Sequence, residues 1–246
     1  MSFIDHFSRE SDRYARSRPA YPDSLWARLA ELAPARDRVW DCATGSGQAA
    51  LGLARHFAHV DATDASAQQI ANAVAAPNVR YSVQPAEATS FAPASFDAVC
   101  VAQALHWFDV ERFYAEVRRV TRPGGLLLVT AYGWSSATPA FDAVLKRMVL
   151  APIKPLWPPQ NQLIMDGYRD VPFPFERVPF PQVSIAVRWT LRQYLDYIAT
   201  WTAVRRMVDS DPGFLARIDA PLRDAWAGEG EKTVTMELLV ICGRVS

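Results

Sequence analysis

Short apolar runs alternate with amphipathic ones between residues 38 and 130. Residues 38–41, 60–63, 79–83, 96–102 and 126–130 each read as a strand. Between them, residues 48–57 and 68–75 read as helices, and Val110, Phe113, Tyr114, Val117 and Val120 fall on one face of a third. Another helix follows Pro22, with Asp23 or Ser24 as its cap and Leu25, Leu29 and Leu32 in helical register. Pro123-Gly124-Gly125 stops the helix before the fifth strand. Short apolar strands alternating with helices predict an α/β fold: a doubly wound, mostly parallel sheet covered on both faces. Ligands of such sheets sit beyond the carboxyl ends of the strands.

After Tyr132 the pattern changes. Residues 140–150 look helical, and residues 152–181 carry eight prolines. That stretch also holds Leu156, Trp157, Leu163, Ile164, Met165, Tyr168, Phe173 and Phe175, so it predicts an ordered, packed insertion and not a linker. Residues 182–189 alternate like a strand, residues 191–204 and 212–226 look helical, and residues 233–240 form a final strand after the Gly228 and Gly230 turn. The expected organisation is one integrated domain: an arm and ligand-binding core over 1–132, a helical cap inserted after the fifth strand over 133–230, and a last strand over 231–246 that returns to the core.

Composition narrows the function classes. Half of the 246 residues are hydrophobic, enough for a large core, and 26 basic side chains balance 26 acidic ones. No basic stripe is present for nucleic acid to use. Cys42, Cys100 and Cys242 are odd in number and far apart, which suits buried thiols in a reducing compartment and neither a disulfide frame nor a metal site. The first six residues lack the apolar core of a signal peptide, and no run approaches the roughly 20 apolar residues of a membrane span. The expectation is a soluble cytoplasmic protein, monomer or homodimer.

The candidate chemistry begins where the first strand ends. Val39-Trp40-Asp41-Cys42-Ala43-Thr44-Gly45-Ser46-Gly47-Gln48 is a strand, a small-residue turn and a helix start, a nucleotide-binding pattern. Asp64 ends the second strand, where an acid accepts hydrogen bonds from both hydroxyls of an adenosine ribose or caps the next helix. Asp41 sits where an acid can organise the glycine turn or, through water, an ammonium group, and Glu87 follows the third strand, near where an adenine edge would lie. Ala50 stands where a dinucleotide loop has its third glycine, and Asp41 is a poor neighbour for a pyrophosphate. A sulfonium nucleoside fits these acids better than NAD(P), and no Tyr-x-x-x-Lys pair supports a dehydrogenase. Gln103-Ala104-Leu105-His106-Trp107-Phe108 closes the fourth strand as a pocket wall or as packing. Arg13, Arg16 and Arg18 beside Tyr14 read as a solvated arm or as a lid.

Tyr14 to Pro22, the glycine loop, Asp64, the Gln103–Phe108 run and Arg122-Pro123-Gly124-Gly125 together resemble class I S-adenosylmethionine-dependent methyltransferases of the type 11 kind. Within them the chain is most similar to the small-molecule branch that includes trans-aconitate methyltransferases. The resemblance spans residues 7–132; Trp157-Pro158-Pro159, Gly167-Tyr168-Arg169 and Trp201-Thr202 extend it less specifically. It implies a Rossmann-like sheet of seven strands, the last antiparallel. It implies S-adenosyl-L-methionine held by Asp41, Thr44, Gly45 and Gly47 near the methionine part, Asp64 and Ala65 at the ribose, Ala86 and Glu87 beside adenine, and Gln103 and Ala104 along the methionine portion. Tyr14 and Arg18 would close over it from the arm. The Asn/Asp-Pro-Pro-Tyr signature of enzymes that methylate nucleic-acid bases or glutamine is absent, which favours a small-molecule acceptor such as a carboxylate oxygen, attacked in line. His106 is the candidate for orienting the acceptor or serving as base, with Trp107, Trp134, Trp157, Tyr168 and Trp201 as acceptor walls. A non-catalytic protein that binds the same cofactor would carry the same binding residues.

Overall fold

A computed structural model describes residues 19–246. The first helix, α1 (Asp23–Leu32), buries Leu25, Trp26 and Leu29. Pro22 occupies its N-cap without a side-chain cap bond, so neither Asp23 nor Ser24 caps it; the Asp23 carboxylate pairs instead with Arg55 and His56, each at 2.9 Å. The alternating region then follows as β1 (Arg38–Cys42), α2 (Gln48–Leu53), β2 (His59–Asp64), α3 (Ala67–Ala71), β3 (Val79–Val83), β4 (Phe96–Ala102), α4 (Val110–Val120) and β5 (Thr121–Tyr132). Helices α2 and α3 are shorter than expected. β5 is longer, because Pro123-Gly124-Gly125 lies within the strand at a register shift against β4 instead of ending a helix.

β4 shows why these runs become parallel strands. Phe96 to Val101 are buried on both faces, so the run is continuously apolar apart from Asp97. α4 shows the helical counterpart. The Asp109 side chain accepts from the Arg112 N–H at its start, and Phe113, Val117 and Val120 are fully buried. Each such side chain contributes roughly 1.5–3 kcal/mol by leaving water.

The strand order is β3-β2-β1-β4-β5, all parallel, followed by β8 (Lys232–Arg244), antiparallel to β5. β6 (Glu176–Arg177) and β7 (Ser184–Trp189) also pair antiparallel with β8. The sheet therefore has eight strands, where seven were expected, and the last strand, β8, runs against all the others, as expected. The extra strand, β6, has two residues, too few for an alternating pattern to show.

Between β5 and β6 lie α5 (Pro139–Leu145), a run of π, α and 3-10 turns to Leu156, and α6 (Asn161–Met165). After β7 come α7 (Leu191–Ala199), α8 (Thr202–Ser210) and α9 (Phe214–Trp226). The single helix expected over residues 191–204 is two, broken at Thr200 and Trp201. One core cluster joins Trp26, Leu29 and Leu53 to Phe141, Tyr194 and Trp226, so α1, α2 and the later helices share a face of the sheet. The other holds Trp40, Phe96, Phe113 and Phe175, and includes Tyr168 from the proline-rich stretch, which is packed as expected. Among the described residues no helix is long and apolar enough to cross a membrane.

The amino end of the sheet is tied shut. Buried Asp97 accepts from the N–H groups of Asp37 and Arg38 at 3.0 and 2.9 Å, and from the Arg122 guanidinium at 2.7 Å. Arg38 in turn reaches Asp61 at 2.7 Å.

Candidate functional site

The carboxyl ends of β1, β2 and β4 converge on the glycine turn. Gly45 and Gly47 have φ of +57° and +91°, a region costly for side chains. A Cβ on Gly47 would also lie 2.3 Å from the Tyr81 hydroxyl. The turn is pinned to β2 by the Thr44 N–H, which donates to the Thr63 carbonyl at 2.8 Å. Asp64 braces it a second time, accepting from the Gly45 N–H at 2.9 Å and the Ser66 N–H at 2.8 Å. Ser66, not Asp64, caps α3.

Asp41 lies beneath the turn and is 1% exposed. Its Oδ2 accepts from the Thr44 hydroxyl at 2.5 Å, while Oδ1 has no hydrogen-bond partner. Burial pushes its carboxyl up to about 7, against the opposing effect of the Thr44 hydrogen bond.

At the end of β4, Gln103 has φ +59°, a strained conformation for a non-glycine residue. Its N–H donates to the Thr130 carbonyl at 2.8 Å and its Nε2 to the Tyr132 carbonyl at 3.0 Å. The second bond fixes the amide's orientation and leaves Oε1 buried without a partner. Ala86 and Ala104 are buried, and Ala65 is exposed. Glu87 is engaged otherwise than expected: its Oε1 accepts from the Asp109 N–H at 3.1 Å, bracing the start of α4. Tyr14 and Arg18 lie outside the described residues.

Beyond Gln103 is a cavity of about 80 Å³. Gln103, His106, Trp107, Trp134, Trp157 and Trp201 all line it. Trp134, Trp157 and Trp201 form a triangle with ring centroids 5.7–6.1 Å apart. The helix break at Thr200 puts Trp201 at the N-cap of α8, in extended backbone. Trp134 remains 41% exposed.

Tyr168 is not part of this lining. It is buried, with its hydroxyl 3.0 Å from His106 Nδ1. The chain reaches it through two left-handed residues, Gly167 and Tyr168 itself. Burial lowers the His106 imidazole to about 3, so the ring is neutral near pH 7 and too weak a base for a phenol or amine. Of its two expected roles, orienting fits this environment. Asn161, Ile164, Met165 and Tyr197 also line the cavity without having been singled out from sequence. Ile164 and Met165 stood out there only as apolar content of the proline-rich stretch; Asn161 carries no signal.

The methyltransferase domain model matches residues 40–129, from β1 through β5. A methyltransferase-named protein of Dictyostelium discoideum is 32% identical over 204 residues, covering 81% of this chain and 78% of that one. A Saccharomyces cerevisiae protein described as an S-adenosylmethionine-dependent methyltransferase is 30% identical over 125 residues, 47% of this chain and 43% of its own. A solved structure described as a type II methyltransferase from Anaeromyxobacter dehalogenans superposes with a TM-score of 0.88 at 42% identity. It covers 93% of this chain and 98% of that one.

Proposed function

This chain belongs to the S-adenosylmethionine-dependent methyltransferases that share the methyltransferase domain, and from that premise we propose that it methylates a small-molecule acceptor held in the tryptophan-lined cavity. The observation that carries this reading is the pair of buried, unpartnered oxygens, Asp41 Oδ1 and Gln103 Oε1, at the ends of neighbouring strands β1 and β4. A buried acceptor without a donor is costly, so both fit a ligand that presents N–H groups, as the ammonium of a methionine moiety does.

S-adenosylmethionine held by these residues would supply an electrophilic methyl group to a lone pair of the acceptor. The chain's own work is placement, which is worth up to roughly 7–11 kcal/mol in reactions of this kind. Asp64, held at the end of β2 by the Gly45 and Ser66 N–H groups, accepts from the ribose hydroxyls. Thr44 orients Asp41, and Gly45 and Gly47 leave the main chain open to the methionine part. Ala65, Ala86 and Glu87 border the base, and Ala104 continues the wall begun by Gln103. His106 orients the acceptor. Three free, buried thiols suit a cytoplasmic setting.

Isothermal calorimetry with S-adenosylhomocysteine tests the reading. The wild type should take it up, and Asp64→Ala should weaken uptake about 100-fold through loss of charge-assisted hydrogen bonds. Absence of uptake by the wild type, with some other nucleotide binding in its place, would overturn it.

A further inference from the structure

The acceptor cavity has its own unfinished polar groups. Trp157 Nε1 and Asn161 Oδ1 are both buried without hydrogen-bond partners, and both residues line it. His106 lines it too, with Nδ1 already committed to Tyr168. Resting on the methyl-transfer reading, we propose that the acceptor is an uncharged, flat molecule. An acceptor atom on it is held by the N–H groups of Trp157 and His106, and a donor on it faces the Asn161 carbonyl.

The His106 proton follows from its surroundings. His106 Nδ1 is the hydrogen-bond partner of the Tyr168 hydroxyl, and burial raises that phenol's pKa, so it keeps its proton and donates it to Nδ1. The neutral imidazole then carries its remaining hydrogen on Nε2, as a donor. Tyr168 is thus a positioning residue: it fixes the tautomer. The three tryptophans give flat, apolar walls suited to a ring, and Trp134 at 41% exposure leaves an aromatic face for a ligand to cover. The described lining holds indoles, amides, phenols, apolar side chains and a neutral imidazole, with no Lys, Arg, Asp or Glu. Among the described residues an ionised carboxylate would meet no cation in that lining, whereas an amide of the same outline would fill the hydrogen bonds at no charge cost.

The test uses two probes that differ in that respect, 4-hydroxybenzamide and 4-hydroxybenzoate. Their binding to the full chain at pH 7.5 is followed by tryptophan fluorescence quenching and calorimetry, with and without S-adenosylhomocysteine. The amide should bind at least about tenfold more tightly than the carboxylate, and Trp157→Phe should weaken the amide about tenfold, a lost hydrogen bond's worth. Unchanged uptake of S-adenosylhomocysteine by that variant serves as its folding control; should it misfold, Asn161→Leu makes the same test. Equal or tighter binding of the carboxylate, no binding of either probe, or no effect of the substitution overturns the proposal. Failure of the wild type to bind S-adenosylhomocysteine would sink the methyl-transfer reading instead, and the amide-to-carboxylate ratio measured without it would still decide this one.

Discussion

Asp97 and Asp41 are each 1% exposed and stand on neighbouring strands, at opposite ends of the sheet. Asp97, near the amino end of β4, is surrounded by donors: two backbone N–H groups and the Arg122 guanidinium. Asp41, at the carboxyl end of β1, has the Thr44 hydroxyl and an oxygen with no partner, and its carboxyl is pushed up to about 7. Burial is the same, so burial does not separate a structural acid from a functional one. What separates them is whether the fold itself completes the hydrogen bonding. One end of the sheet has its buried acid fully hydrogen-bonded, and the other keeps buried acceptors unfilled.

The largest expected effect removes the finished end. Asp97→Ala strips acceptors from two backbone N–H groups and a partner from Arg122, and should lower unfolding free energy by about 3 kcal/mol. Chemical denaturation measures this. Cofactor affinity of the remaining folded fraction should be near wild type, since Asp97 lies at the far end of the strands. A large loss of affinity at unchanged stability would break the distinction between the two ends.

The next effect reverses both signs. In Asp41→Asn the neutral amide still accepts from Thr44. The folded protein holds a proton on Asp41 between pH 3.8 and about 7 that the unfolded chain releases, so wild-type stability falls as pH rises through that window. Asp41→Asn removes this fall and should be the more stable protein above pH 7, by up to a few kcal/mol. Its ligand binding should worsen. A proton must leave Asp41 before it can face an ammonium, so wild-type affinity for S-adenosylhomocysteine should rise roughly five- to tenfold from pH 6 to 7.5. Calorimetry of the Asn variant over the same range should give a flat profile, and a profile as steep as wild type would remove Asp41 from the ligand.

The unfinished end was partly legible in the sequence. Strands β1 to β5, the Gly45-Ser46-Gly47 turn and Asp64 follow local rules, in which strand, turn and helix start are contiguous and each residue's role is set by neighbours a few positions away. The lengths of α2 and α3, and the placing of Pro123-Gly124-Gly125 inside β5, depend on tertiary pairing and were missed. The tryptophan-lined cavity is assembled from distant segments. Its tryptophans stood out by type, but Trp201 reaches the cavity through a helix break that periodicity over residues 191–204 hides. Asn161 and the bridge from Tyr168 to His106 leave no pattern at all, because nothing local links positions 62 residues apart. Glu87 follows β3, and the bond from the Asp109 N–H to its Oε1 joins positions 22 residues apart, which no local pattern announces.

The smallest effect compares the two halves of the unfinished end. His106 shares Asp41's burial without its charge logic: desolvation lowers its pKa from 6.5 to about 3. The unfolded chain therefore binds a proton there between pH 3 and 6.5 that the folded protein refuses, and stability contributed by the neutral ring is lost as pH falls through that range. Between pH 6.5 and 5.5 the loss amounts to about 1 kcal/mol. His106→Gln, which keeps a hydrogen-bonding side chain but does not titrate, should not show it. The two residues thus tilt stability in opposite directions across the acid range, Asp41 downward with rising pH and His106 upward. A His106→Gln variant whose denaturation midpoint tracks wild type from pH 6.5 to 5.5 would mean that the imidazole titrates in the folded protein, and the neutral N–H donor assigned to it would fall.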